Sequence, residues 1–251
     1  MKQLDYRDFL FINNVVYMVN ETQDFDEMRR KLLMLIQEHI PCNVATFYLT
    51  DETGEHITAD PIGIGGITDE RLQSYISDSE KVDYMKIFML TGGNQVIRQS
   101  DLFEEKTLLD MQRSVFRVSR PRYAMTTFMF YKEEFMGIIS MYRNDKANDF
   151  TDREISIMEV LSRHIALRIY QKKSNDRMQE DHRKLKIIEI GQKHNLSKRE
   201  QTVLTRIYMG ESPTQIAEEL FISESTVKNH MAAIYKKLGI HARSQLFRMI
   251  R

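Results

Sequence analysis

PTQIAEELFISESTVKNHMAAIYKKL, residues 213–238, has the pattern of two helices separated by a tight turn. Ser212 precedes Pro213 and stands three residues before Gln215. This is the spacing of a capping box, with proline at the first helical position, where its missing N–H costs no hydrogen bond. We therefore expect a first helix over residues 213–220.

The second helix of this stretch follows the break at Phe221-Ile222 and starts at Ser223. Apolar residues recur along one side at helical spacing, namely Val227, Met231, Ile234 and Leu238. The other side carries cations, an amide and a hydroxyl, contributed by Thr226, Lys228, Asn229, Lys236 and Lys237. Such a helix fits the major groove of DNA, where base edges offer donors and acceptors and phosphates line both walls. A solvated face on an ordinary helical bundle would have the same pattern, so the flanking sequence must decide.

The flanks supply two more helices. Ser197 and Glu200 form another capping box, and Gly210 is a natural helix C-cap. Gly239 ends the second helix of the opening stretch, and residues 242–250 form a further amphipathic helix. Together, residues 195–251 resemble the C-terminal effector domain of the LuxR/FixJ/NarL family of bacterial transcription regulators. The matching residues, in unbroken order, are Leu196, Arg199, Glu200, Val203, Leu204, Gly210, Ile216, Ala217, Leu220, Ile222, Ser223, Thr226, Val227, Lys228, His230, Ile234, Lys237, Leu238, Gly239 and Arg243.

The resemblance implies an all-α four-helix helix-turn-helix domain and a set of DNA-contacting residues. These are Thr226, Val227, Lys228, Asn229, His230, Lys236, Lys237 and Arg243. Within this set, Lys228 and Asn229 are expected at base edges or adjacent phosphates, and Lys236 and Lys237 at the DNA backbone. Val227 is expected to be partly buried yet close to the groove, while the helix from Arg243 would join two effector domains. The implied partners are double-stranded DNA with an inverted-repeat operator, a second copy of the chain, and RNA polymerase.

The charge distribution agrees with a DNA-binding C-terminal end. Residues 1–170 contain 20 Lys and Arg against 27 Asp and Glu, a net charge of −7, whereas residues 171–251 contain 16 against 9, a net charge of +7. Because phosphate attraction supplies most non-specific affinity for DNA, the basic part is the expected DNA-binding part.

The N-terminal part alternates helices with apolar strands. A first helix carries the stripe Phe9, Ile12, Val16 and Val19, and a second helix ends before Pro41. Strands are predicted over residues 43–50 and 95–98, with a hairpin turn at 51–54. A clear hairpin follows, with strands over 123–131 and 135–143 and a turn at residues 132–134. Helices are predicted over 68–79 and 104–118, and a long exit helix begins with a capping box at Thr151 and Glu154.

This order of elements resembles a GAF domain, a sheet with helices behind it and a loop-covered pocket in front. The expected fold is therefore two-domain: an α+β GAF-like domain over residues 1–170, with an antiparallel sheet flanked by helices, a helical linker over 171–194, and the helix-turn-helix domain over 195–251. The exit helix has a second apolar strip at Val160 and Leu167, which we expect to contact the same helix of a partner subunit. The resemblance implies a small-molecule effector or a partner for this domain without identifying it.

Three alternatives concern the N-terminal domain. An acyl-homoserine-lactone domain of a quorum-sensing regulator has a similar length, but it typically relies on tryptophans, and this chain has none. A phosphorylation receiver would need a downstream Lys-Pro, which does not occur. A protein-interaction adaptor with a ligand-free dimerisation domain remains as the third possibility.

No catalytic or metal-binding motif stands out. The seven histidines lack any HExxH spacing, and neither a GxSxG nor a GK[ST] phosphate-binding loop occurs. Cys42 is the only cysteine, which excludes an internal disulfide. We therefore expect a protein that is not an enzyme, has no metal or identified cofactor, and acts in the cytoplasm without a membrane span, since neither a signal peptide nor an apolar run of sufficient length is present.

Overall fold

The computed structural model describes residues 4–50, 57–67, 72, 95–102, 121–144 and 146–250. The chain forms two compact units, an N-terminal unit, Met1–Lys172, and a C-terminal unit, Lys173–Arg251. The turn predicted at 51–54 and the helix predicted at 104–118 lie outside the described residues. So does the helix predicted at 68–79, apart from Leu72.

Two helices open the N-terminal unit, α1 (Tyr6–Glu21) and α2 (Phe25–His39). The buried face of α1 consists of Asp8, Ile12, Val15 and Val19, so the predicted stripe was wrong at Phe9, which is 56% exposed. The reason is the buried Asp8 carboxylate, which accepts hydrogen bonds from Arg153 Nε at 2.8 Å and lies 3.0 Å from His39 Nε2. These polar contacts turn the Asp8 side of α1 inward and leave Phe9 outside.

In the part of the chain that the structure describes, five antiparallel strands form one sheet in the order β2-β1-β5-β4-β3. The strands are β1 (Val44–Thr50), β2 (Ile57–Ile64), β3 (Val96–Arg98), β4 (Pro121–Tyr131) and β5 (Glu134–Asn144), with a 3-10 turn at Gln99–Asp101. The β4–β5 turn contains two residues rather than the predicted three, because Glu134 already pairs with Tyr131. Its residues Lys132 and Glu133 have φ of 49° and 67°, the left-handed twist that a two-residue hairpin requires.

Gly137 permits the close contact between β5 and β1 at the centre of the sheet. Its φ is 153°, and a Cβ there would lie 2.2 Å from the Tyr48 carbonyl oxygen. Any other residue would push the two strands apart, so this glycine is needed for the register in which Gly137 pairs with Leu49.

The two faces of the sheet have different environments. The back face packs against α1, α2 and the first part of α3 (Asp152–Lys193), and contributes Ala45, Phe47, Met125, Ile139 and Met141 to the main core. The front face carries a second cluster, Tyr48, Ile97, Phe128, Phe135 and Ile138. The predicted capping box of α3 is present, since Thr151 N–H donates to Glu154 Oε2 at 2.7 Å and Glu154 N–H donates to Thr151 Oγ1 at 3.3 Å.

The C-terminal unit contains the rest of α3 and four shorter helices. These are α4 (Lys198–Tyr208), α5 (Pro213–Glu219), α6 (Glu224–Leu238) and α7 (Arg243–Ile250). Their core includes Val203, Leu204, Ile216, Val227, Ile234 and Leu246. The predicted fold class, an antiparallel sheet with helices followed by a helical unit, is therefore confirmed. In the part of the chain that the structure describes, no helix is both long and apolar enough to cross a membrane.

Candidate nucleic-acid interface

Local hydrogen bonds fix the start of both helices in the pair α5–α6. Gln215 N–H donates to Ser212 Oγ at 3.2 Å, and Ser212 N–H donates back to Gln215 Oε1 at 2.8 Å. Thr226 N–H donates to Ser223 Oγ at 3.1 Å, which caps α6. The helix pair thus begins where the sequence predicts, because these caps satisfy N–H groups that would otherwise have no intrahelical partner.

The apolar side of α6 holds the helix against the unit. Val227 and Ile234 have no exposed surface, and Leu238 is 6% exposed. Val227 was expected to be only partly buried and close to the groove, and the structure corrects this: its side chain is wholly inside. Val227 therefore positions α6, and as a DNA contact it stays a prediction.

The opposite side of α6 is open to solvent in its first two turns. The Lys228 side chain is 63% exposed, and Asn229 is exposed beside it. Lys228 Nζ lies 2.5 Å from Glu224 Oε1, one helical turn earlier. This hydrogen bond, together with the charge of Lys228, lowers the pKa of Glu224. Because both groups are solvated, the pair is weak, and the ammonium can exchange its carboxylate partner for a phosphate or a base edge.

Hydroxyl groups gather at the N-terminal end of the same side. Ser223 Oγ lies 2.7 Å from Thr226 Oγ1 and 2.8 Å from Ser225 Oγ. Thr226 is half-buried, and Ser225 is exposed. The sequence pattern indicated Thr226, and the structure adds Ser225 as a further exposed hydroxyl at this end of α6.

Two of the predicted DNA contacts are occupied inside the unit. Lys237 Nζ lies 2.7 Å from Glu200 Oε2 and also donates to the Asn195 carbonyl at 3.1 Å. The hydrogen bond from Lys237 is the main cause of a lowered pKa at Glu200. Arg243 Nη2 donates to the carbonyl oxygens of Ile207 at 2.5 Å and Glu211 at 3.1 Å. As DNA contacts these two residues stay predictions, and their visible role is to join α6 and α7 to α4.

The remaining predicted contacts differ in exposure. Lys236 is exposed on the last turn of α6, whereas His230 is half-buried. The structure therefore brings Thr226, Lys228 and Asn229 together at one end of α6, with Lys236 farther along the helix.

Nothing in the described residues suggests a metal centre, because no group of three or more His, Cys, Asp or Glu side chains could hold an ion there. Cys42 is half-buried, and burial raises the pKa of its thiol to about 11. At neutral pH this thiol is protonated and therefore a poor nucleophile.

The family model described as bacterial regulatory proteins, luxR family, matches residues 194–250. The spore germination protein GerE of Bacillus subtilis is 44% identical over 57 residues, which cover 23% of this chain and 77% of GerE. This chain belongs to the luxR family.

Other luxR-family members match over the same short region. The probable transcriptional regulatory protein NarL of Mycobacterium tuberculosis is 49% identical over 49 residues, 20% of this chain. The match spans only 23% of the length of NarL.

Solved structures similar to this luxR-family chain include Escherichia coli SdiA, with a TM-score of 0.46 and 16% identity over 96% of this chain and 95% of that one. A GAF domain from Acinetobacter phosphoenolpyruvate-protein phosphotransferase has a TM-score of 0.49 and 11% identity over 68% of this chain and 97% of that domain.

Proposed function

We propose that this luxR-family protein is a transcriptional regulator that binds double-stranded DNA by placing α6 in the major groove. The observation that carries the proposal is the two-sided construction of α6. On its apolar side Val227 and Ile234 are wholly buried, while Lys228 and Asn229 project from the opposite side at the N-terminal end. Recognition helices of this motif contact base edges with their N-terminal residues.

The proposed contacts follow from exposure. Lys228 and Asn229 are free to reach base edges or the phosphates beside them, and the hydroxyl of Thr226 lies at the same end. Lys236, an exposed lysine about two turns later, would neutralise a phosphate. The net charge of +7 over residues 171–251 supports this assignment, since cations near the helix attract the DNA backbone from a distance.

The proposal is tested by a shift assay on the full-length protein at several salt concentrations. We expect the logarithm of affinity to fall linearly with the logarithm of salt concentration, and the double variant Lys228→Ala/Asn229→Ala to lose sequence-specific binding. Lys31→Ala is a matched control, because Lys31 forms the same kind of exposed pair one turn from Glu27, at 2.7 Å, in the acidic unit. Unchanged specific binding in the double variant would refute the assignment of α6.

For the N-terminal unit we propose a GAF-like sensor over residues 1–170, joined by a helical linker, 171–194, to the DNA-binding domain, 195–251. Three buried hydroxyl side chains, Thr46, Ser140 and Thr126, lie on directly paired positions of neighbouring strands across the front face of the sheet. Thr126 Oγ1 lies 3.3 Å from Ser140 Oγ. A polar row between apolar clusters is a suitable floor for a small molecule with both apolar and hydrogen-bonding groups.

Native mass spectrometry of the purified full-length protein tests the sensor proposal. A bound small molecule should appear as added mass, and Ser140→Leu should remove it. Protein without added mass in both forms would instead favour the ligand-free adaptor.

We also propose that the protein is a homodimer in the cytoplasm, with an inverted-repeat operator and RNA polymerase as further partners. The strip at Val160 and Leu167 is not the best candidate for the interface, because Val160 packs against the core of its own unit. Among the described residues of the N-terminal unit, the large exposed apolar side chains lie mainly on α1, at Tyr6, Phe9, Leu10 and Tyr17. Residues 9–20 contain no charged side chain, which would let two copies of an acidic unit approach there without repulsion.

Light scattering of Tyr17→Glu tests this surface. We expect monomers, while Met209→Glu, at an exposed apolar position of the C-terminal unit, should remain dimeric. A dimeric Tyr17→Glu protein would exclude the α1 surface.

A further inference from the structure

Four helices of the C-terminal unit end in the same way. At the end of α3, α4, α5 and α6 the chain turns through one residue with positive φ. These residues are Asn195 (52°), Gly210 (96°), Phe221 (53°) and Gly239 (66°). Glycine and asparagine are the residues that tolerate this conformation best, so Phe221 is the exception among the four.

Hydrogen bonds show that the α5 end is the same motif as the others. Phe221 N–H donates to the Glu218 carbonyl at 3.3 Å, and Ile222 N–H donates to the Ala217 carbonyl at 3.0 Å. These two backbone hydrogen bonds together define the Schellman motif. The conformation of Phe221 is therefore required by the turn between the two helices.

Neither conformation nor packing favours a phenylalanine at this position. A Cβ next to a bulky ring is strained at positive φ, and glycine would relieve that strain. The ring also gains nothing from burial within the unit, because Phe221 is 94% exposed. Its neighbour Ile222 packs against the core of the unit instead. A strained and solvated aromatic side chain calls for a contact outside the unit.

The position of Phe221 indicates what that contact is. Phe221 stands two residues before Ser223, the N-cap of α6, at the end where Thr226 and Lys228 lie. This end of the helix is the one that approaches base edges. In the major groove the apolar group available at the base edges is the thymine C5-methyl, to which phenylalanine is a suitable partner.

We propose that Phe221 makes an apolar contact with a thymine methyl at the edge of the groove that α6 occupies. The inference rests on the proposed DNA binding and adds a specificity-determining residue to it. The contact is to the methyl group and not to the phosphate backbone, so it contributes to the choice of sequence.

The variant Phe221→Gly separates this role from a structural one. The full-length variant should melt at the same or a higher temperature than the wild type, because the left-handed turn is relieved. Its affinity for a duplex selected by the wild-type protein from a random-sequence library should fall about 10-fold. Its affinity for an unselected duplex of equal length should not change. Phe221→Asn, with the residue type found at Asn195, serves as a second variant, and Met209→Ala is the control for loss of an exposed apolar side chain.

Replacement of each thymine in the selected duplex by deoxyuridine tests the methyl contact. The wild type should lose affinity at one position in each half-site, and Phe221→Gly should be indifferent to that replacement. The proposal is overturned if Phe221→Gly binds the selected duplex like the wild type. That includes a variant that binds DNA normally but no longer activates transcription, because Phe221 would then contact a partner protein and not a thymine. It is also overturned if no deoxyuridine position distinguishes the two proteins. Absence of salt-dependent DNA binding by the wild type would be a different result, since it removes the proposed function itself.

Discussion

Lys228 and Lys237 lie on the same helix, belong to the same residue type and were both expected at DNA, yet their surroundings differ. The Lys228 side chain is 63% exposed and pairs with a solvated glutamate one turn away. Lys237 is paired with Glu200, which is 6% exposed and stands 37 residues earlier in the chain. A basic residue on the proposed recognition helix can therefore be available to DNA or be bonded within its own domain. The partner, and not the residue type, decides which.

Arg243 extends the comparison to α7 and gives the largest expected effect. Its guanidinium donates to two backbone carbonyls, those of Ile207 and Glu211. Arg243→Ala leaves both acceptors without this donor, and we expect a loss of about 2–3 kcal/mol in the stability of the C-terminal unit. Hydrogen exchange of the α4 and α7 amides in the full-length protein measures the loss.

Arg248→Ala is the control for Arg243→Ala, because Arg248 is exposed on the same helix. If Arg243→Ala folds with unchanged stability and loses only DNA affinity, Arg243 does not stabilise the domain. The expectation that Arg243 contacts DNA would then hold.

Lys237→Met should have a smaller effect that depends on pH. The folded-state pKa of Glu200 is lowered, chiefly by the hydrogen bond from Lys237, so the stabilisation is present above the ordinary glutamate pKa of about 4.3 and is lost as pH falls through the lowered value. Because the Lys237 side chain is 39% exposed, we expect Lys237→Met to lower the free energy of unfolding by only about 0.5–1 kcal/mol at pH 7. Hydrogen exchange at pH 7 should show the difference between the variant and the wild type, and exchange near pH 3 should show a smaller one.

A Lys237→Met protein of unchanged stability but weaker DNA binding would show that Lys237 acts on DNA and not on the stability of the domain. Lys31→Ala supplies the reference for a solvated pair, whose removal should change stability little at either pH.

Local signals explain how much of the C-terminal unit could be predicted. The helix ends depend on hydrogen bonds between residues only a few positions apart, so sequence spacing reveals them. These ends are the N-caps Ser197, Ser212 and Ser223 and the C-cap Gly239. The partners of Lys237 and Arg243 lie 37 and 36 residues away, and only the packed helices bring them together. Spacing along one helix shows which side is polar, but it does not show which polar groups are already bonded.

The N-terminal unit shows the same limit at its surface. Apolar periodicity in α1 selected Phe9, Ile12, Val16 and Val19. The buried Asp8 instead shifts the inner face to include Val15 in place of Val16, and it leaves Phe9 exposed. No hydrophobic pattern contains that information, because a carboxylate bonded to Arg153 reads in the sequence as a surface residue. The hairpin of β4 and β5 depends on neighbouring residues and was predicted well, apart from the length of its turn.

Lys236→Ala has the smallest expected effect on affinity, and it compares a solvated lysine of α6 with the internally bonded Lys237. Lys236 is exposed next to the bonded Lys237, so the two adjacent lysines form an internal control. If Lys236 contacts one phosphate, the variant should lose affinity equally for selected and unselected duplexes, and the slope of log affinity against log salt should decrease by about 0.9. Its stability should equal that of the wild type, in contrast to Lys237→Met. A change in slope for Lys237→Met and none for Lys236→Ala would mean that the internal pair opens on DNA and that exposure in the free protein does not identify the cations that DNA uses.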